Sequence, residues 1–164
     1  LNDLRDIDGH GAAKMSDEEY LSLAQSIAQK MSDDPKAKLD ARAGVGAVLV
    51  DQQNQVFSSA NEFPAALKGV LNVVDPDSPT RYHYIEHAER SVLFRASAAG
   101  AKLDGSVLYC TRFPCSDCAR AIIAFRVQRI VVGGGGFDGD GRWIESQRAA
   151  RHLLKSAGVK IRYL

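Results

Sequence analysis

Cysteine is scarce in this chain: three in 164 residues, two of them in a C-x-x-C pair, which is no framework for an extracellular disulfide-stapled fold. A reducing cytoplasm is the compartment expected. Charge of one sign is also missing. The 21 basic residues stand against 20 acidic ones, a net charge of +1, whereas a polyanion binder neutralises several phosphates with clustered Lys and Arg. The expected partner is a small molecule, not a nucleic acid. No apolar run approaches the length of a membrane span, and the opening residues are too polar for a signal peptide. There is no internal repeat and no dividing linker. What is present is 45% hydrophobic residues, enough to fill the single core of one domain.

Residues 1–15 have no periodicity and carry Gly9 and Gly11, so they read as a loose arm ahead of a domain spanning 16–164. Ser16-Asp17-Glu18-Glu19 is a capping box, and Tyr20, Leu23, Ala24, Ile27, Ala28 and Met31 then recur at helical spacing until Asp33-Asp34-Pro35. The continuous apolar run over 45–50 predicts a strand buried on both faces, and a second strand follows over 56–59. From 61 to 81 the chain is irregular, with Pro64, Pro76 and Pro79, and a loop of that length in a compact domain is usually functional or disordered. Beyond it the pattern predicts a helix over 86–99, a strand over 106–110, a helix over 115–125 and a strand over 129–132. After the Gly133–Gly136 break come a helix over 145–157 and a last strand over 159–163. The order α-β-β-α-β-α-β-α-β is that of one layered α/β domain.

The chemistry lies in two short motifs. His87-Ala88-Glu89 and Pro114-Cys115-Ser116-Asp117-Cys118 supply one imidazole, two thiols and one carboxylate. Both begin at predicted helix N-termini, where free N–H groups and the helix dipole favour thiolate over thiol. Cys115 and Cys118, three apart, can grip one ion, with His87 as third ligand from the neighbouring helix. A structural zinc takes four protein ligands, while a hydrolytic one keeps a position open for water. Three ligands plus a spare carboxylate, Glu89, fit the hydrolytic case. Cys110 and His83 are the residues that would complete a closed site. Cys110 reads better as a small buried strand residue and His83 as a loop residue. His10 and His152 carry no signal.

With its H-x-E…P-C-x-x-C signature the chain resembles the cytidine deaminase superfamily. Its similarity is greatest to the deoxycytidylate (dCMP) deaminase branch, over residues 17–164. The stretches that carry the likeness are 45–50, Tyr84-Ile85-Glu86-His87-Ala88-Glu89, the run from Leu108 to Ala119, and the tail from Ala149 to Gly158. The resemblance implies a three-layer α/β/α domain with a central mixed five-stranded sheet and a Zn2+ held by His87, Cys115 and Cys118. It implies that Glu89 takes the proton of the attacking water and returns protons to N3 and the leaving amine, converting a cytosine-type ring to a uracil-type one plus ammonia. The Ala88 N–H would help hold the ring, and Asn61, with Pro64 after it, stands where the branch has a nucleotide-contacting Asn-Gly-x-Pro loop. A homo-oligomer is implied too.

Several positions depart from that pattern. Glu62 replaces the loop Gly, setting a carboxylate near a phosphate site unless it turns away or meets a cation. Ala41 and Ala43-Gly44 replace more polar residues, Ser91-Val92 replaces Asn-Ala, and Arg112 replaces an apolar residue. Arg112, Arg42 and Lys68 are the candidate cations for a phosphate or carboxylate. The glycine-rich stretch 133–143 is no dinucleotide-binding loop, and it could form a lid on which Phe137 or Trp143 stacks against a base. dCMP is the first expected substrate. The alternatives are an unphosphorylated nucleoside, a free base or another amino-heterocycle, and, from a different class, a non-catalytic zinc-binding module.

Overall fold

The computed structural model describes residues 15–32, 44–67, 83–134 and 143–164. The expected N-terminal arm up to residue 14, the irregular stretch beyond 67, and the candidates Arg42, Lys68 and Phe137 lie outside the described residues.

Helix α1 (Asp17–Met31) starts on the expected capping box: Ser16 Oγ accepts from the Glu19 N–H at 3.2 Å and Glu19 Oε2 accepts from the Ser16 N–H at 2.7 Å. Strands β1 (Gly46–Val50) and β2 (Val56–Ala60) follow, then a short 3-10 turn at Ala65–Leu67. The rest alternates: α2 (Ala88–Ala98), β3 (Val107–Cys110), α3 (Ser116–Ala124), β4 (Arg129–Val132), α4 (Ile144–Ser156) and β5 (Lys160–Tyr163). This is the order read from the sequence.

The five strands form one sheet in the order β2-β1-β3-β4-β5. β1 pairs antiparallel with β2 and β3, whereas β3, β4 and β5 run parallel, so the sheet is mixed as expected. Each parallel step is bridged by a helix, because a crossover needs a dozen or more residues. Alternation along the strands divides the core. Ala47, Leu49, Leu108, Cys110, Ile130 and Val132 face α2, α3 and α4, while Val48, Val50, Tyr109 and Val131 face α1. Three layers result. Gly46 is what lets α1 lie close to the sheet, since a Cβ there would stand 2.0 Å from the Ala24 carbonyl oxygen.

The far end of α1 is fastened by charge. The Asp17 carboxylate accepts from Tyr109 Oη at 2.8 Å and from Arg129 Nη1 and Nη2 at 2.6 and 3.0 Å, and Arg162 also donates to it. One acidic residue thereby joins α1 to β3, β4 and β5. Among the described residues no helix is long and apolar enough to cross a membrane.

Three helix starts differ from the sequence expectation; α4 begins one residue early, at Ile144, and the other two differences matter to the site. α2 begins at Ala88, not Glu86, because Glu86 is held in a two-way backbone bridge with Glu62 and His87 is an extended N-cap at φ −70, ψ 143. α3 begins at Ser116, with Cys115 its N-cap at φ −75, ψ 173.

Candidate metal centre

His87 and Cys115 each occupy the last extended position before a helix, so their side chains leave the chain where the first-turn N–H groups have no intrahelical partner. Neither side chain caps its own helix. The two N-termini converge. His87 Nδ1 lies 3.4 Å from Cys115 Sγ and 3.5 Å from Cys118 Sγ, and the two sulfurs are 3.5 Å apart. Among the described residues these three form the one His/Cys/Asp/Glu group close enough to share an ion. A tetrahedral zinc with bonds of roughly 2.0–2.3 Å sets its ligand atoms about 3.5–3.8 Å apart. The donor set and its spacing fit that ion.

The charge arrangement points the same way. Hydrogen bonding from Cys118 outweighs burial at Cys115 and, with His87 beside it, brings that thiol down to about 4. Burial opposes charge on His87, but the hydrogen bond to Cys115 and the negative Glu89 push the imidazole up to about 9. Cys118 is driven well above the thiol range by its bond to Cys115 and by burial. Three groups so strongly coupled suit a divalent cation, whose binding to such a set releases protons.

Glu89, one turn position beyond Ala88, is 3% exposed. Burial, reinforced by the Cys115 charge, raises its carboxyl despite the nearby His87. A carboxyl held above its ordinary range beside a metal-competent cluster is suited to accepting a proton and giving it back. Ala88 is fully buried between ligand and carboxylate.

The remaining candidates separate. The ring of Trp143 stands edge-on to His87 with centroids 5.6 Å apart, at the N-cap of α4. Two more bonds dock that helix end onto the cysteine turn: Ser146 Oγ accepts from the Ser116 N–H at 3.0 Å, and Gln147 Nε2 donates to the Phe113 carbonyl at 3.3 Å. Asn61 is buried, with Oδ1 accepting from the Val45 N–H at 2.9 Å and from Ser32 Oγ at 2.6 Å. Glu62 is buried as well, and its carboxylate meets Ser59, Ser91 and Arg95. Arg112 is half-buried just past β3, and His83 and His152 are exposed. Cys110 is wholly buried in the core, as expected, and outside the three-residue group. Sequence reasoning missed Ser59, Ser146 and Arg95; single serines and a surface-patterned Arg give no signal of their own.

Residues 14–134 match the model of the cytidine and deoxycytidylate deaminase zinc-binding region. The chain belongs to this family. It is a zinc-binding hydrolytic deaminase. The deoxycytidylate deaminase of Mus musculus is 27% identical over 149 residues, covering 88% of this chain and 77% of that protein. A probable deoxycytidylate deaminase of Drosophila melanogaster is 27% identical over 155 residues, covering 87% and 70%. The structure of a dCMP deaminase from the cyanophage S-TIM5, in complex with dCMP and dUMP, superposes with a TM-score of 0.64 over 92% of this chain and 100% of that one. At 20% identity that likeness is one of fold: the deaminase shares its α/β architecture.

Proposed function

We propose that this deaminase hydrolyses the exocyclic amine of a cytosine-type ring, with dCMP as substrate, through a site in which His87, Cys115 and Cys118 hold zinc and Glu89 moves the protons. The observation that carries this reading is the convergence of three ligand atoms within 4.8 Å beside a buried carboxylate. The zinc, when bound, supplies Lewis-acid chemistry that can bring a water pKa down to roughly 7.

The chain's own residues do the rest. Glu89 accepts the proton of the water that attacks C4, gives a proton to N3, and protonates the departing amine. The C4–N bond breaks, a C4 carbonyl forms, and ammonia leaves. The raised carboxyl of Glu89 suits both the accepting and the donating step. The Ala88 N–H, in the first turn of α2, orients the ring, Asn61 sits on the sugar side, and Trp143 forms the wall beside His87. The dCMP relatives support the phosphorylated substrate, and so does the pairing of Glu62 with Arg95, because that carboxylate already meets a cation. We place the deaminase unit at residues 16–164, as a homo-oligomer in the cytoplasm, where buried free thiols stay reduced.

Ammonia release from dCMP, dCTP, deoxycytidine, cytidine and cytosine by zinc-loaded protein tests the reading. Turnover of dCMP above all others is expected. Preference for an unphosphorylated ring would transfer the function to a nucleoside or free base, and silence across the panel would remove the cytosine class.

A further inference from the structure

Glu62 is a buried carboxylate that the proposed reaction does not use. Its side chain is 7% exposed, yet one oxygen, Oε1, gathers three donors: Ser59 Oγ at 2.6 Å, Ser91 Oγ at 2.8 Å and Arg95 Nη1 at 3.3 Å. The two serines come from different elements, Ser59 from β2 and Ser91 from α2, and their hydroxyls lie 2.8 Å from each other. The backbone of Glu62 is committed as well. Its N–H donates to the Glu86 carbonyl at 3.1 Å and its carbonyl accepts from the Glu86 N–H at 2.8 Å.

These contacts bracket His87. Glu86 precedes it, and Ser91, whose N–H donates to the His87 carbonyl at 2.8 Å, lies one turn after it. Glu62 therefore grips the start of α2 on both sides of the imidazole-bearing residue. The grip has a fixed footing, because neighbouring Asn61 is tied to Val45 beside β1 and to Ser32 at the end of α1.

We propose that Glu62 is a positioning residue, which clamps the 59–62 segment to α2 and so fixes the direction in which His87 presents Nδ1 to Cys115 and Cys118. Its carboxylate faces the clamp and does not select against substrate phosphate. The inference rests on the reading of His87 as a metal ligand. The relative weight of the three donors follows from exposure. Arg95 is half exposed and can return to water, so its ion pair adds little. The serines are buried and would lose their shared carboxylate, keeping only each other at 2.8 Å and, for Ser59, the Ala60 carbonyl at 3.4 Å. Glutamine keeps an oxygen for them; alanine does not.

The test compares Glu62→Ala, Glu62→Gln and Ser91→Ala with the parent protein, reading zinc dissociation into a chelator, thermal unfolding, and the ratio of dCMP to deoxycytidine turnover. Residues that orient a ligand typically change metal affinity about 10–100-fold when removed. Glu62→Ala is expected to speed zinc loss by about that factor, with the turnover ratio unchanged, and Glu62→Gln to restore retention to within about threefold of the parent. A folded Glu62→Ala protein that holds zinc like the parent would overturn the proposal, as would a turnover ratio that rises toward dCMP. Should Glu62→Ala fail to fold, Ser91→Ala decides: faster zinc loss supports the clamp, and unchanged loss overturns it. His87→Ala separates the two readings, since zinc retention in that variant would remove His87 as a ligand whatever Glu62 does.

Discussion

Asp17 and Glu89 are both carboxylates in the first turn of a helix, and their surroundings drive them in opposite directions. Burial alone would raise either one. Around Asp17, hydrogen bonds from Arg129, Tyr109 and Arg162 more than cancel burial and hold the carboxyl below its ordinary value. Around Glu89 the lowering pull of His87 falls short of the burial, the Cys115 charge adds to it, and the carboxyl rises. The first is a charge satisfied by its neighbours in the fold and works as architecture. The second is a charge kept in tension beside a set of donors, and that tension is what a proton-transfer site needs. Paired charge joins elements; poised charge does chemistry.

The sharpest way to break the contrast is on the metal side. Cys118→Ala removes a fully buried donor, so zinc content after desalting should fall to background and ammonia release should vanish with it. On the architectural side, Asp17→Ala strips two arginines and a tyrosine of their common acceptor. It should lower unfolding stability in urea by about 1–3 kcal/mol while leaving turnover per folded molecule unchanged.

Acid sharpens the same difference. A carboxyl lowered on folding contributes its stability above its ordinary value near 3.8 and loses it as pH falls through the lowered one. The stability gap between parent and Asp17→Asn should therefore be full at neutral pH and close below about pH 4. The smallest effect belongs to Tyr109→Phe, which deletes one hydroxyl from the cluster and should cost about 0.5–1.5 kcal/mol with no change in zinc content.

Local features were legible in the sequence because they are written in neighbouring residues. The Ser16–Glu19 box, the wholly buried β1 and the placement of both motifs at helix starts each depend on a few consecutive positions. The metal group was legible for a related reason, since its chemistry needs residue types that serve little else. The Asp17 cluster was not. Its partners lie 112 and 145 residues away, and Arg129 and Arg162 look in sequence like ordinary surface charges. Glu62 was visible as an anomaly in its loop and Ser91 as another in its helix. Only the fold, bringing positions 29 residues apart to 2.8 Å, shows that the two meet. Trp143 lies with its ring edge-on to His87, and the helix boundary at 88 was shifted by the long-range Glu62–Glu86 bridge, which no local pattern announces.

The measurement that tests the central claim most directly is zinc content and dCMP-dependent ammonia release in Glu89→Gln beside the parent protein. Glutamine preserves size and cannot carry the proton, and general acid–base catalysis contributes about 10²–10⁴-fold. The account predicts unchanged zinc with a rate lower by that factor. Undiminished ammonia release from the zinc-loaded variant would contradict it.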